Sequence, residues 1–265
     1  MASSTPLDLI PLWALCAILF VGNLVLDECG FRFGRYRSNH TQKERDTIVG
    51  AIVTTELGLL AFLLAFTFGV VTSRFDERRR VLVDEANAIS TTYLRAALLP
   101  DAEGASVRRL LRDYVDVRLQ VTGGTAVDEA LRRSENIHQR LWTQAVAAAQ
   151  HDPESIPTGL FIQSLNDMID QHALRVMTAV RNRMPLAVWV VLFAVGFLSF
   201  FTMGYQAGLT KGSRTPVTIV VALTFVVVIW LVADLDRPLE GFLRVSQEPM
   251  LEVQTMMRGS SSDGR

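Results

Sequence analysis

The stretch LLAFLLAFTFGVVTSRFDERRRVLVDEANAI, residues 59 to 89, begins as sequence that lipid accepts and ends with charges on alternate turns. It holds no proline and one glycine, Gly69. Glycine is common inside membrane spans, so nothing from Ala61 to Leu98 stops a helix. The reading is a single rod that leaves the bilayer without turning and continues into water. A soluble helical domain then grows from the end of a membrane span.

Hydrophobic residues make up 49% of the 265, and they cluster in runs at about 9–26, 48–72, 184–209 and 216–233. Each run is near or above the roughly 18 to 20 apolar residues that cross a hydrocarbon core. The expected fold is an all-α integral membrane protein with four transmembrane helices. Residues 1–72 hold the first two spans, 73–183 an inserted helical domain, 184–234 the last two spans and 235–265 a tail. The leading MASSTPLD carries no Lys or Arg, and no small-x-small cleavage site follows the first run. That run therefore reads as a span rather than a cleaved signal.

Several function classes find no support. A formal net charge of -1 gives no sign of a nucleic-acid partner. Cys16 and Cys29 cannot form a disulfide framework. His40, His138, His151 and His172 show no metal-ligand spacing, and each reads as a surface histidine. Asp167, Asp170 and His172 read as a solvated helix face rather than a metal site. There is no nucleophile motif and no phosphate-binding glycine loop, so neither an enzyme nor a metal or cofactor is expected.

Residues 73–183 contain fifteen Arg against fifteen Asp and Glu, the balance of a solvated domain. Breaks at LLPDAEG, VTGGTAV and HDPESIPTG divide it into four antiparallel helical pieces. One carries Leu110, Leu111, Tyr114 and Val117 on its apolar side; another carries Leu160, Leu165, Met168 and Ile169. Such stripes pack a bundle, and one face is also available to a neighbouring subunit. For orientation, the 27–47 loop and the short loop near 212 together hold seven Lys and Arg, and the opposite side holds nine close to the spans. The positive-inside rule places both termini and the helical domain in the cytoplasm.

At about 100° per residue, Glu56, Leu60, Leu63, Thr67, Val70 and Arg74 form one line along the second helix. Glu56 is the one clear acid deep in a span, and an acid there favours a bundle interior or a wet cavity. Polar ends with leucines between them suit a pore with a dewettable constriction. A hydrogen bond between helices accounts for Glu56 equally well. Phe62 and Phe66, one turn apart, either pack or present electropositive ring edges to a passing anion. Where the helix leaves lipid, Arg74, Asp76, Glu77, Arg78 and Arg79 are spaced for pairing along it. Asp234, Asp236 and Arg237 close the fourth span, and Arg78 or Arg74 is expected to pair with Asp234 or Asp236. Pro238 ends that helix, and Gly204 with Gly208 form a GxxxG pair that lets helices approach closely.

Residues 65–100, AFTFGVVTSRFDERRRVLVDEANAISTTYLRAALLP, and 234–250, DLDRPLEGFLRVSQEPM, together resemble a bacterial bestrophin-like membrane family. The elements FTF, R-x-D-E-R, EANAI, TxYLR, LLP and D-x-D-R-P-x-x-G-x-x-R-V-S occur in order. The resemblance implies a homo-oligomer in the bacterial cytoplasmic membrane, pentameric like the bestrophins, passing an inorganic anion such as chloride along the second helix. A charged Glu56 on that path suits cations or protons instead. The alternatives are a non-conducting scaffold or sensor that binds a protein partner, and a proton-coupled transporter built on Glu56. The transporter lacks the broken helices and repeats of that class.

Overall fold

A computed structural model describes residues 10–38, 44–120, 125–178, 184–210, 217–237 and 241–259. Among them are eight α-helices and no strand: α1 Leu12–Ser38, α2 Glu44–Arg95, α3 Asp101–Leu119, α4 Thr125–His151, α5 Ile156–Val176, α6 Leu186–Leu209, α7 Val217–Asp236 and α8 Glu248–Gly259. Four of them are long and apolar enough to cross a membrane: α1, α2, α6 and α7. α2 is continuous over 52 residues, the rod that its unbroken sequence specifies. The chain forms two compact units, one from residues 1–73 and 183–237 and the other from 74–182 and 238–265.

The first unit corrects the reading of α1. The expected loop over 27–47 is helical as far as Ser38, and Arg32, Arg35 and Arg37 lie on that helix. Two features carry the helix past its apolar run. Arg32 Nε bonds Glu28 Oε1 at 2.7 Å one turn away, and Gly30 and Gly34 hold α1 against α6. A Cβ on Gly30 would lie 2.0 Å from the Phe201 carbonyl oxygen, and one on Gly34 2.3 Å from that of Tyr205. The fit is reciprocal, because a Cβ on Gly204 would lie 2.0 Å from Asp27 O and one on Gly208 2.3 Å from Phe31 O. The two backbones touch along two turns, which only glycine permits. Without a hydrophobic driving force between helices in lipid, such close contact is what associates them.

In the second unit the apolar stripes converge on one core. Ile89 and Tyr93 of α2, Leu111 and Val115 of α3, Leu141 of α4, and Phe161, Leu165 and Met168 of α5 are buried together. The LLP break forms a short 3-10 turn, Ala96–Leu98, and α3 starts after Pro100. Ser155 caps α5 by accepting the Thr158 N–H at 3.3 Å. The tail also contributes a helix that its short apolar stripe did not announce. α8 places Met250, Val253 and Met257 in this core, and Tyr93 Oη donates to the Met257 carbonyl at 3.1 Å.

Candidate functional site

The membrane half of α2 presents two different sides. On the line read from the sequence, Leu60 and Thr67 are buried, and Glu56, Leu63, Val70 and Arg74 are half-buried. Glu56 Oε2 accepts a hydrogen bond from the Thr202 hydroxyl of α6, and Gln206, one turn further along α6, lies against Gly50 of α2. Glu56 is thus held between helices of its own chain. Phe62 and Phe66 fall on the other side of α2, 66% and 61% exposed.

Of the charged residues expected at the membrane boundary, Asp234 and Asp236 are buried in the first unit and Arg78 is buried in the second. Asp236 Oδ1 accepts the Met184 N–H at 3.2 Å, which ties the end of α7 to the entry of α6. Arg237 donates from Nη2 to the Ile10 carbonyl at 2.7 Å. Asp76 is exposed. Pro238 lies outside the described residues, as do His40, Arg181 and Arg183.

A cluster that sequence reading missed occupies the second unit. Glu85 of α2 is fully buried. Its Oε1 accepts from Tyr114 Oη of α3 at 2.6 Å and faces Arg118 Nε of α3 at 3.3 Å. Its Oε2 accepts from Arg175 Nη1 of α5, whose Nη2 reaches Gln247 Oε1 at 3.3 Å. Tyr114 has one hydroxyl proton, and it is donated to Glu85 in that hydrogen bond. His172 Nδ1, 2.8 Å from the same phenolic oxygen, is therefore the donor there, which fixes the imidazole proton on Nδ1. His138 of α4 stands edge-on to His172 with ring centroids 4.8 Å apart.

His138 and His172 are thus buried, against the expectation of surface histidines; His151 is exposed. The error has a physical source. Neither has a ligand motif beside it on its amphipathic helix, and the partners that bury it, Glu85 and Tyr114, come from other helices.

Electrostatics in the cluster follow from burial and from two guanidinium groups. Burial alone pushes the Glu85 carboxyl up, but Arg118, His172, Arg175 and Tyr114 together outweigh it and hold Glu85 well below the usual carboxylate range. Burial and the Glu85 charge push the Tyr114 phenol up, so it stays protonated as a donor. Burial, then His172 and Arg118, push His138 down to about 4 against a Glu85 charge that opposes them.

A stability prediction follows for acid. The unfolded chain binds a proton at His138 below its ordinary value of 6.5, and the folded chain does so near 4. The contribution is complete above pH 6.5 and is lost as pH falls toward 4, on the order of 3 kcal/mol in all. Thermal midpoints of the purified protein between pH 7 and 4 are expected to fall more steeply for wild type than for His138→Phe. Equal slopes would contradict the assignment.

The fold and residue pattern agree with comparisons to known proteins. A family model described as a bestrophin-like domain matches residues 28–250. Two mutant forms of a bacterial bestrophin homolog from Klebsiella pneumoniae share the fold at 14% identity. One has a TM-score of 0.66, covering 93% of this chain and 98% of that one; the other has 0.65, covering 93% and 99%. A crystal structure described as a membrane protein matches at TM-score 0.69 and 13% identity, covering 95% of this chain and all of that one. No curated protein sequence matches the chain. With a family model spanning most of its length over the four-span helical fold, the chain belongs to the bestrophin-like family.

Proposed function

We propose that the protein is a homo-oligomeric ion channel, not an enzyme, in which an inorganic ion passes along the exposed side of α2. The observation that carries this reading is the division of that side into two stripes. Thr54, Gly58, Ala61 and Ala65 form a stripe of small residues. Beside it run Thr55, Leu59, Phe62 and Phe66, with Leu59 50% exposed. The exposed large side chains of α6 and α7 are, by contrast, aliphatic: Val190, Val191 and Leu198 on one, Ile219, Val220 and Leu223 on the other. Aliphatic surface suits lipid.

Small residues let α2 of one subunit approach a neighbour closely. A ring of Leu59, Phe62 and Phe66 then makes an apolar constriction that opens by wetting, and phenylalanine edges favour an anion over a cation. Chloride is the favoured ion and a pentamer the favoured assembly, both by family. The charge balance of the loops supports a bacterial cytoplasmic membrane protein with its termini and helical unit inside.

The second reading, a non-conducting scaffold or sensor, is favoured by the placement of Glu56 against Thr202, since the polar line of α2 then serves packing. Flux from liposomes in chloride and potassium gradients separates the two. Chloride flux is expected. Phe66→Ala should raise it about tenfold if the ring is the barrier, a change of about 1.4 kcal/mol. Glu56→Gln keeps a partner for Thr202 and should change flux little. Folded, oligomeric protein that passes neither ion would transfer the assignment to the scaffold.

A further inference from the structure

The Glu85 cluster has an energetic oddity. A buried carboxylate between guanidinium groups contributes little net stability beyond what packed apolar residues of the same volume would supply. Its distinctive property is a single geometry. Apolar neighbours on the same side of α2, such as Val81, Leu82, Ala86 and Ile89, tolerate small slides and rotations of the helix. Glu85 does not, because Tyr114 and Arg118 of α3 hold one oxygen while Arg175 of α5 holds the other. Turning α2 about its axis breaks the hydrogen bonds from Tyr114 and Arg175 and the ion pair with Arg118, and strands two buried guanidinium groups.

We infer that Glu85 is a positioning residue for permeation: it locks the axial rotation of α2 to α3 and α5. Because α2 is one unbroken helix, the lock also fixes which side chains of its membrane half face the ion path. Phe66 lies 19 residues from Glu85 on the same helix, and no proline intervenes to absorb a twist. Movement of α3 or α5 is transmitted to α2 through the bonds on Glu85, and from there along the helix. His138 and His172 fill the space beside the carboxylate with rings that also hold Tyr114 in place. This inference rests on the channel reading above.

Single-channel recording in planar bilayers with symmetric chloride tests it, because open probability and unitary conductance do not depend on how much protein folds. Glu85→Asp keeps the charge and shortens the arm; Tyr114→Phe removes one donor and leaves the ion pairs. Each loses about one charge-assisted hydrogen bond in the state that uses it. Open probability should therefore shift about tenfold, while unitary conductance, set by the α2 stripe, stays at the wild-type value.

Unchanged open probability in either variant that folds would overturn the lock and leave the channel reading intact. A changed unitary conductance with unchanged open probability would also overturn it, by placing Glu85 on the ion path. If wild type itself passes no current, the channel reading fails and the lock fails with it.

Discussion

Gly204→Ala is expected to dismantle the membrane unit. The added carbon would sit 2.0 Å from the Asp27 carbonyl oxygen and 2.9 Å from its Cα, and neither atom is the end of a flexible side chain. α1 and α6 must separate, and separation also undoes the reciprocal contacts at Gly30, Gly34 and Gly208. Overpacking of a tight core costs about 1–3 kcal/mol and sometimes more, and backbone against backbone belongs at the upper end. Gly69→Ala is the control, since a Cβ there meets nothing within 4 Å. Within a helix that change is favourable by about 0.5–1 kcal/mol. In detergent, Gly204→Ala should lose most of its monodisperse fraction and melt well below wild type, whereas Gly69→Ala should match or exceed it. A Gly204→Ala protein that melts with wild type would disprove the backbone contact.

The contrast shows which features a sequence carries locally. The GxxxG pair of α6 was readable as a means of close approach, but its partners were not. Gly30 and Gly34 lie four apart on α1, the same spacing, in a segment whose arginines suggested a loop. The continuity of α2 was readable from the absence of helix breakers across the lipid boundary, a purely local property. α8 was hidden because Met250, Val253 and Met257 make a stripe only three residues long. Its worth appears only once the core that receives it exists.

Glu85 marks the limit of local reading more sharply. In sequence it is one of several acids in a charged run, indistinguishable from Asp84, which is exposed. Its partners lie 29 residues away at Tyr114 and 90 away at Arg175, so only folding makes it a buried hub. For α2 in the membrane, the line through Glu56 and the one-turn spacing of Phe62 and Phe66 are legible in the sequence. Which face turns toward α6 depends on Thr202 and Gln206, and no spacing within α2 encodes that.

The second large effect is predicted at this hub. Glu85→Leu removes the negative charge and leaves Arg118 and Arg175, 7% and 12% exposed, buried without it. Removing one partner of a buried ion pair costs about 3–5 kcal/mol, because the remaining charge has neither water nor a counterion. The helical unit should therefore unfold at a markedly lower temperature or denaturant concentration. Partial recovery is expected in Glu85→Leu combined with Arg175→Met, since an apolar replacement for a whole pair is often neutral.

The pH dependence distinguishes this cause from simple loss of packing. The folded carboxyl sits below its ordinary value of 4.5, so its contribution is complete above that pH and disappears as acid protonates it. The gap between wild type and Glu85→Leu should be widest at neutral pH and narrow progressively below pH 4.5. A gap that is constant with pH would mean that Glu85 acts through its shape, and the two guanidinium groups would then need another counterion. A gap that closes in acid identifies the charge itself as what fixes α2 against α3 and α5.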